Sequence, residues 1–274
     1  MRWRANHPLA RVLRYPVKRF LLFAFSLISL CALYSNNIAS QLEREILVLT
    51  NQQRARHNLP ALIQEPGLAD LARNHSRNMM RNNFFDHTDP QGLDVSRRKD
   101  RYYPQLMVSS IGENLYSITD SRRTFTAAQM VQGWMESPGH RANILASDYT
   151  HLGVGVVIQG DRCYATQNFA SPIVKLISPS ILDTRKRRLT LSFEYLSPRA
   201  AQGFKATIIY PDPSVKHFVS ENEFLQGAEF QAPRWQRNRR FTLTLDFPAG
   251  KGDYKIHFGW GNSRYQDYFT IRKR

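Results

Sequence analysis

The stretch TFTAAQMVQGWMESPGHRANIL, residues 124–145, followed by HLGVGVVI at 151–158 and YATQNFA at 164–170, decides the fold class. Phe125, Ala127, Met130, Val131 and Trp134 recur at helical spacing, which predicts a helix over 124–136 with those side chains turned inward. Ser137-Pro138-Gly139 breaks it, and His140–Leu145 resumes. His151–Ile158 reads as a strand and Tyr164–Phe169 as its partner. Helices first and antiparallel strands afterwards point to an α+β layered fold.

Upstream, Leu42, Ile46 and Leu49 sit at helical spacing, and Asn58-Leu59-Pro60 ends that run. Pro66 suits the first turn of a second helix, on which Leu68, Leu71, Ala72, His75 and Met79 form one stripe. His75 on that stripe reads as a buried histidine with an internal hydrogen bond rather than as a ligand. His57 at a helix end reads as solvated, and His151 at a strand start as structural. After this helix comes the turn-rich FFDHTDP at 84–90, then a loop, then IGENL at 111–115.

The motifs FFDHTDP, GENL, W-x-E-S-PGHRANIL, HLGVGV and YATQNFA, in this order, resemble the CAP superfamily: cysteine-rich secretory proteins, antigen 5 and pathogenesis-related 1, in its bacterial secreted form. The likeness covers about 41–172 and implies an α-β-α sandwich with an open cleft. It also implies a cleft set of two histidines and two acids, which transfer to His87, Glu113 and His140. The second acid has no clean counterpart: Ser137 stands at its position, three residues after Trp134, and Glu136 would point about 100° away on a continuing helix. Two imidazoles and a carboxylate are competent zinc ligands, so His87 and His140 are the metal candidates and a divalent ion such as zinc the candidate cofactor. The alternative is that the three groups hydrogen-bond and brace the cleft. HExxH, GxSxG and P-loop patterns are absent from the chain, which leaves zincin, serine-hydrolase and P-loop chemistry without support.

The net charge of +16 divides unevenly. Residues 1–40 carry six basic groups and no acid, 41–172 carry 14 against 13, and 173–274 carry 18 against 9. Six cations followed by the apolar run Phe20–Tyr34 form a signal peptide or an uncleaved N-terminal anchor, the run being shorter than the ~20 residues of a spanning helix. Both readings place residues 41–274 outside the cytoplasm: secreted, periplasmic or membrane-anchored. If Cys31 is removed or stays in the membrane, Cys163 has no partner within the chain and reads as a small buried hydrophobe.

Beyond Pro172 the period becomes two. Leu189–Tyr195, Phe204–Tyr210, Phe241–Phe247, Tyr254–Trp260 and Tyr268–Ile271 read as short strands of a small all-β sandwich. Its cations cluster at Arg185–Arg188, at Arg234, Arg237, Arg239 and Arg240 around Trp235, and at Arg272–Arg274. On an exported domain they suit lipid phosphate or acidic envelope glycan, with membrane association through this segment or residues 1–40; no recognition helix or zinc finger supports nucleic acid. These features predict a non-enzymatic exported protein that binds a lipid or envelope ligand in its cleft. A metal-dependent hydrolase of peptide or wall substrates is the alternative.

Overall fold

Pro66 opens helix α2 (Pro66–Asn82) behind Glu65, whose carboxylate accepts the Leu68 N–H at 2.9 Å, and Asn83 closes it in the left-handed conformation (φ 51°). The predicted stripe of Leu68, Leu71, Ala72, His75 and Met79 is buried throughout. Around it the computed structural model describes residues 17–183, 188–221, 223–261 and 263–274, with the backbone alone for 17–36 and 178–183. The N-terminal half consists of α1 (Val17–Arg56), β1 (Ile63–Gln64), α2, α3 (Val95–Tyr102), β2 (Leu106–Thr119), α4 (Ala127–Glu136), α5 (Pro138–Leu145), β3 (His151–Gln159) and β4 (Arg162–Asp183).

Strands β2, β4 and β3 are antiparallel, and β1 joins β3 in parallel. Their sheet is covered on both faces. On β3, Leu152, Val154 and Val156 point into a core shared with Ile46 of α1, Met130 and Trp134 of α4 and Ile144 of α5. The alternating Gly153 and Gly155 face α2 so closely that a Cβ would fall 2.2 Å from the Ala69 nitrogen and 2.0 Å from that of Arg73. The fold is thus the α-β-α sandwich expected from the motifs. Three local readings need correction. The helix expected from Thr124 begins at Ala127, because the Thr126 hydroxyl accepts the Gln129 N–H and caps it. The loop expected before GENL contains α3, and GENL itself lies within the 14-residue strand β2. The helix read from residue 41 is continuous from Val17.

The remaining strands are β5 (Arg188–Tyr195), β6 (Phe204–Ile209), β7 (Lys216–Phe218), β8 (Phe224–Gln226), β9 (Ala228–Gln231), β10 (Arg234–Trp235), β11 (Arg240–Leu245), β12 (Gly252–Trp260), β13 (Ser263–Arg264) and β14 (Phe269–Lys273). Two sheets enclose an aromatic core in which Phe193, Phe241 and Phe258 are fully buried. Strand β4 belongs to both halves. It pairs with β3 as far as Ala170 and with β5 from Val174, so residue 172 lies within a strand and not in a linker. Residues 1–16 and Arg185-Lys186-Arg187 lie outside the described residues. Among those described, no helix is long and apolar enough to cross a membrane.

Candidate functional site

Glu113 sits near the middle of β2 with its side chain 2% exposed. A buried carboxylate requires donors, and three meet it. His87 Nδ1 lies 2.9 Å from Oε1, the guanidinium of Arg98 contacts Oε2, and the Asn168 amide reaches Oε2 at 3.2 Å when its oxygen accepts the Ala72 N–H. Arg98 itself is 3% exposed and also donates to the backbone carbonyls of His87 (2.7 Å) and Leu93 (3.0 Å). It therefore holds the FFDHTDP turn and the carboxylate together.

His75 lies behind this pair, 1% exposed, with Nε2 3.0 Å from the Asp86 carbonyl and 3.9 Å from Glu113 Oε1. Burial pushes its pKa down, so the ring is neutral, and the carbonyl at Nε2 places the proton there. The hydrogen bond to Glu113 pushes His87 up despite partial burial. His140 is pushed down, chiefly by burial and then by the charge of His87. With its Nδ1 bonded to Glu113, the 56% exposed His87 ring leaves Nε2 available to solvent or a ligand.

The backbone of His140 is clamped by the remaining motifs. Asn114 of GENL donates to the His140 carbonyl (3.0 Å) and to Gln167 of YATQNFA (3.1 Å), and Asn143 of PGHRANIL donates to Asn114 (2.9 Å). Three distant motifs thus form one buried polar network. Ser137 precedes α5 with no side-chain capping bond, its N–H donating to the Trp134 carbonyl at 3.3 Å. Glu136 is exposed and accepts from Gln132 one turn earlier on its own helix at 2.7 Å. His57 is exposed and bonds the Gln53 carbonyl, while His151 is buried against the Thr150 hydroxyl.

Arg98 and Asn168 are site residues that the sequence reading did not single out. Arg98 lies in a polar run that looks solvated, and the available signal was Asp94, whose carboxylate caps α3 by accepting the Arg97 N–H (2.9 Å). A metal at this site would have His87 Nε2 and His140 as donors. Glu113, buried with a donor on each oxygen, accepts the Nδ1–H of His87 and fixes that ring. Among the described residues, no three histidine, cysteine, aspartate or glutamate side chains are grouped to hold a metal ion.

Residues 47–169 match CAP, the cysteine-rich secretory protein family, so this segment of the chain is a CAP-like domain. Over 128 residues it is 39% identical to the "Uncharacterized membrane protein YlbC" of Bacillus subtilis (strain 168), covering 46% of this chain and 34% of that protein. Over 122 residues it is 34% identical to the "Uncharacterized protein YkwD" of the same organism, covering 44% of each. The chain therefore spans less than half the length of both curated relatives. A solved extracellular protein containing an SCP domain from Bacillus anthracis str. Ames is 34% identical with a TM-score of 0.44, covering 50% of this chain and 42% of that one.

Proposed function

We propose that the protein is a non-enzymatic, extracytoplasmic CAP-domain binding module. Its cleft at His87, Glu113 and His140 holds a lipid or glycan of the envelope, and its basic β unit keeps it at an anionic surface. The observation that carries the cleft assignment is the burial of Glu113 with a donor on each oxygen. A carboxylate 2% exposed, with both oxygens committed to Arg98, His87 and Asn168, is a brace and is poorly placed to act as a base on substrate. What it braces is His87, whose ring is 56% exposed and keeps Nε2 free of that bond. In the β unit, Arg234, Arg237 and Arg240 are exposed around the 43% exposed Trp235, whereas Arg239 is bonded to the backbone carbonyls of Tyr195 and Ser197. The positively charged, apolar N-terminal segment and the wording of the YlbC name favour a site of action at the envelope.

Native mass spectrometry of the protein recovered from its producing cells tests this reading. The wild type should retain an organic adduct that the His87→Ala/His140→Ala variant loses. The same spectrum with and without that variant would refute the cleft assignment. A second reading, a metal-dependent hydrolase, is favoured by one feature: a buried carboxylate behind an outward-facing imidazole is the arrangement that orients a metal-binding histidine. His87 and His140 would hold the ion, which would supply a bound water of lowered pKa. That reading requires close to one zinc per chain and peptidase or wall-lytic activity that a chelator removes. Protein that neither contains nor takes up zinc would exclude it.

A further inference from the structure

The course of α1 decides which end of the molecule meets a membrane. The Glu43 carboxylate accepts the Val156 N–H at 3.0 Å, and Arg54 donates to the carbonyls of Ile144, Ala146 and Tyr149, just before β3 begins. α1 therefore runs antiparallel to β3. Val156 pairs with Ala165, three residues short of the Gln159–Arg162 pair that closes the β3–β4 hairpin, so Glu43 lies roughly 10 Å from that end of the sheet. A helix rises about 1.5 Å per residue, so about six residues of α1 cover this depth and Asn37 is level with the hairpin turn. Burial agrees: Asn37 is exposed, Ile38 is half-buried, and Ala39 is buried in the core shared with β3. Residues 17–36 of the helix thus project beyond the sandwich, and the apolar run at 20–34 lies wholly within that projection.

The two ends of the sandwich differ. At the end where α1 leaves, Arg81 in the last turn of α2, Arg122 and Arg123 between β2 and α4, and Arg162 at the start of β4 gather around the hairpin turn. The Asp120 N–H ties the first loop to the Asp161 carbonyl (2.7 Å), and Arg162 donates to Asn83 at the end of α2 (3.1 Å). The four arginines face Asp161 and Asp120, and the Asp120 carboxylate is taken by the N–H groups of Arg122 (3.0 Å) and Thr124 (2.9 Å). The β unit leaves from the opposite end. At about 3.3 Å per residue along β4, Asn168, which pairs with Glu113, is roughly 20 Å from Arg162, and Val174, where the pairing with β5 begins, is roughly 40 Å away. The attraction of a cation to an anionic bilayer fades within a Debye length, about 8 Å at physiological salt, so Arg234, Arg237 and Arg240 cannot act on the membrane that holds residues 20–34. We propose that the α1-exit end is the membrane-facing surface: residues 20–34 sit in the bilayer, Arg81, Arg122, Arg123 and Arg162 lie against anionic phospholipid, and the β unit points away from it. This orientation rests on the extracytoplasmic reading above with the N-terminal segment retained. It refines that reading in one respect, since the anionic surface met by the β unit is then a second layer of the envelope and not the anchoring membrane.

The test is energy transfer from a dye on the full chain to an acceptor-labelled lipid, in vesicles of equal parts phosphatidylcholine and phosphatidylglycerol. The dye is placed at Asp161→Cys, in the hairpin turn, or at Lys251→Cys, in the turn before β12, each in a Cys31→Ser background; both positions are exposed, and the remaining Cys163 is buried. Transfer should be at least five-fold more efficient from position 161 than from position 251. It should fall about two-fold from position 161 in Arg122→Glu/Arg123→Glu, whose new charges repel the lipid. Equal transfer from the two positions, or stronger transfer from 251, would put the β unit on the same membrane and overturn the orientation. A value unmoved by Arg122→Glu/Arg123→Glu would overturn the lipid contact. The intact mass of protein recovered from its producing cells should include residues 20–34, and a mass lacking them would overturn the proposal as well. None of these failures touches the cleft assignment, which the adduct measurement tests separately.

Discussion

Replacing Arg98 with methionine tests the central claim about the site, that Glu113 is a buried anion held by its partners. The substitution keeps most of the side-chain volume and removes the charge. Glu113, 2% exposed, would then retain only His87 and Asn168. Removing one partner of a buried ion pair costs about 3–5 kcal/mol, because the other charge is left in a low-dielectric site. Two surviving donors place the expected cost at the lower end, about 3 kcal/mol. For a unit of this size that corresponds to a fall in Tm of roughly 6–12 °C. The double variant Arg98→Met/Glu113→Gln removes both charges and should recover more than half of the loss. Thermal unfolding by circular dichroism of wild type, both singles and the double completes the cycle. A loss below about 1 kcal/mol for Arg98→Met, or a double equal to the sum of the singles, would refute the buried-pair account.

Resolved NMR titration of the histidine rings should show His87 titrating above and His140 below the ordinary value near 6.5. Since the His87 pKa is higher folded than unfolded, its contribution to stability is complete below about pH 6.5 and is lost as pH rises through the folded value. That of His140 has the opposite slope, so the ring signals are the readout and global stability is not; Glu113→Gln should bring His87 down, and an unmoved His87 would exclude the hydrogen bond as the cause. Burial pushes the Cys163 thiol up to about 12, so it should resist iodoacetamide in the native protein and react once urea unfolds the chain; rapid native labelling would contradict its placement. Gly155→Ala puts a methyl 2.0 Å from the Arg73 nitrogen and should cost about 1–3 kcal/mol by urea unfolding, and a neutral effect would show that α2 does not press on β3 as described.

The elements legible in the sequence are those whose apolar period is clean. The stripe of α2 and the alternation of β3 each bury one face, and a buried face writes its period into the chain. The cleft residues became legible through motif resemblance, since nothing in local periodicity ties His87 to Glu113 across 26 positions. What stayed hidden was polar and buried. Helix α3 (VSRRKDRY) has the composition of a solvated surface, yet Arg98 and Lys99 are each 3% exposed because acids from elsewhere in the chain come to meet them. Strand β2 was masked at its centre by Gly112, Glu113 and Asn114, residues that disfavour strands in isolation and are kept there by the network they form.

The same two arginine and lysine neighbours link the halves of the molecule. Arg98 holds Glu113 and the His87 turn, while Lys99, one residue on, reaches Asp267 at 3.1 Å, just before β14, and the Leu106 carbonyl at 3.3 Å. Asp267 also accepts the Val108 N–H of β2, five residues before Glu113. Met107, Ile173 and Val174 are buried in the aromatic core of the C-terminal unit although Met107 belongs to β2. Removing residues 173–274 would therefore cut β4, uncover Met107 and strip Lys99 of Asp267, disturbing the two elements that carry the site. Loss of envelope retention in such a truncation would not separate attachment by the β unit from damage to the cleft. Charge removal at the exposed Arg234, Arg237 and Arg240 leaves β4, Lys99 and Asp267 in place, so it isolates the surface contribution that the truncation confounds.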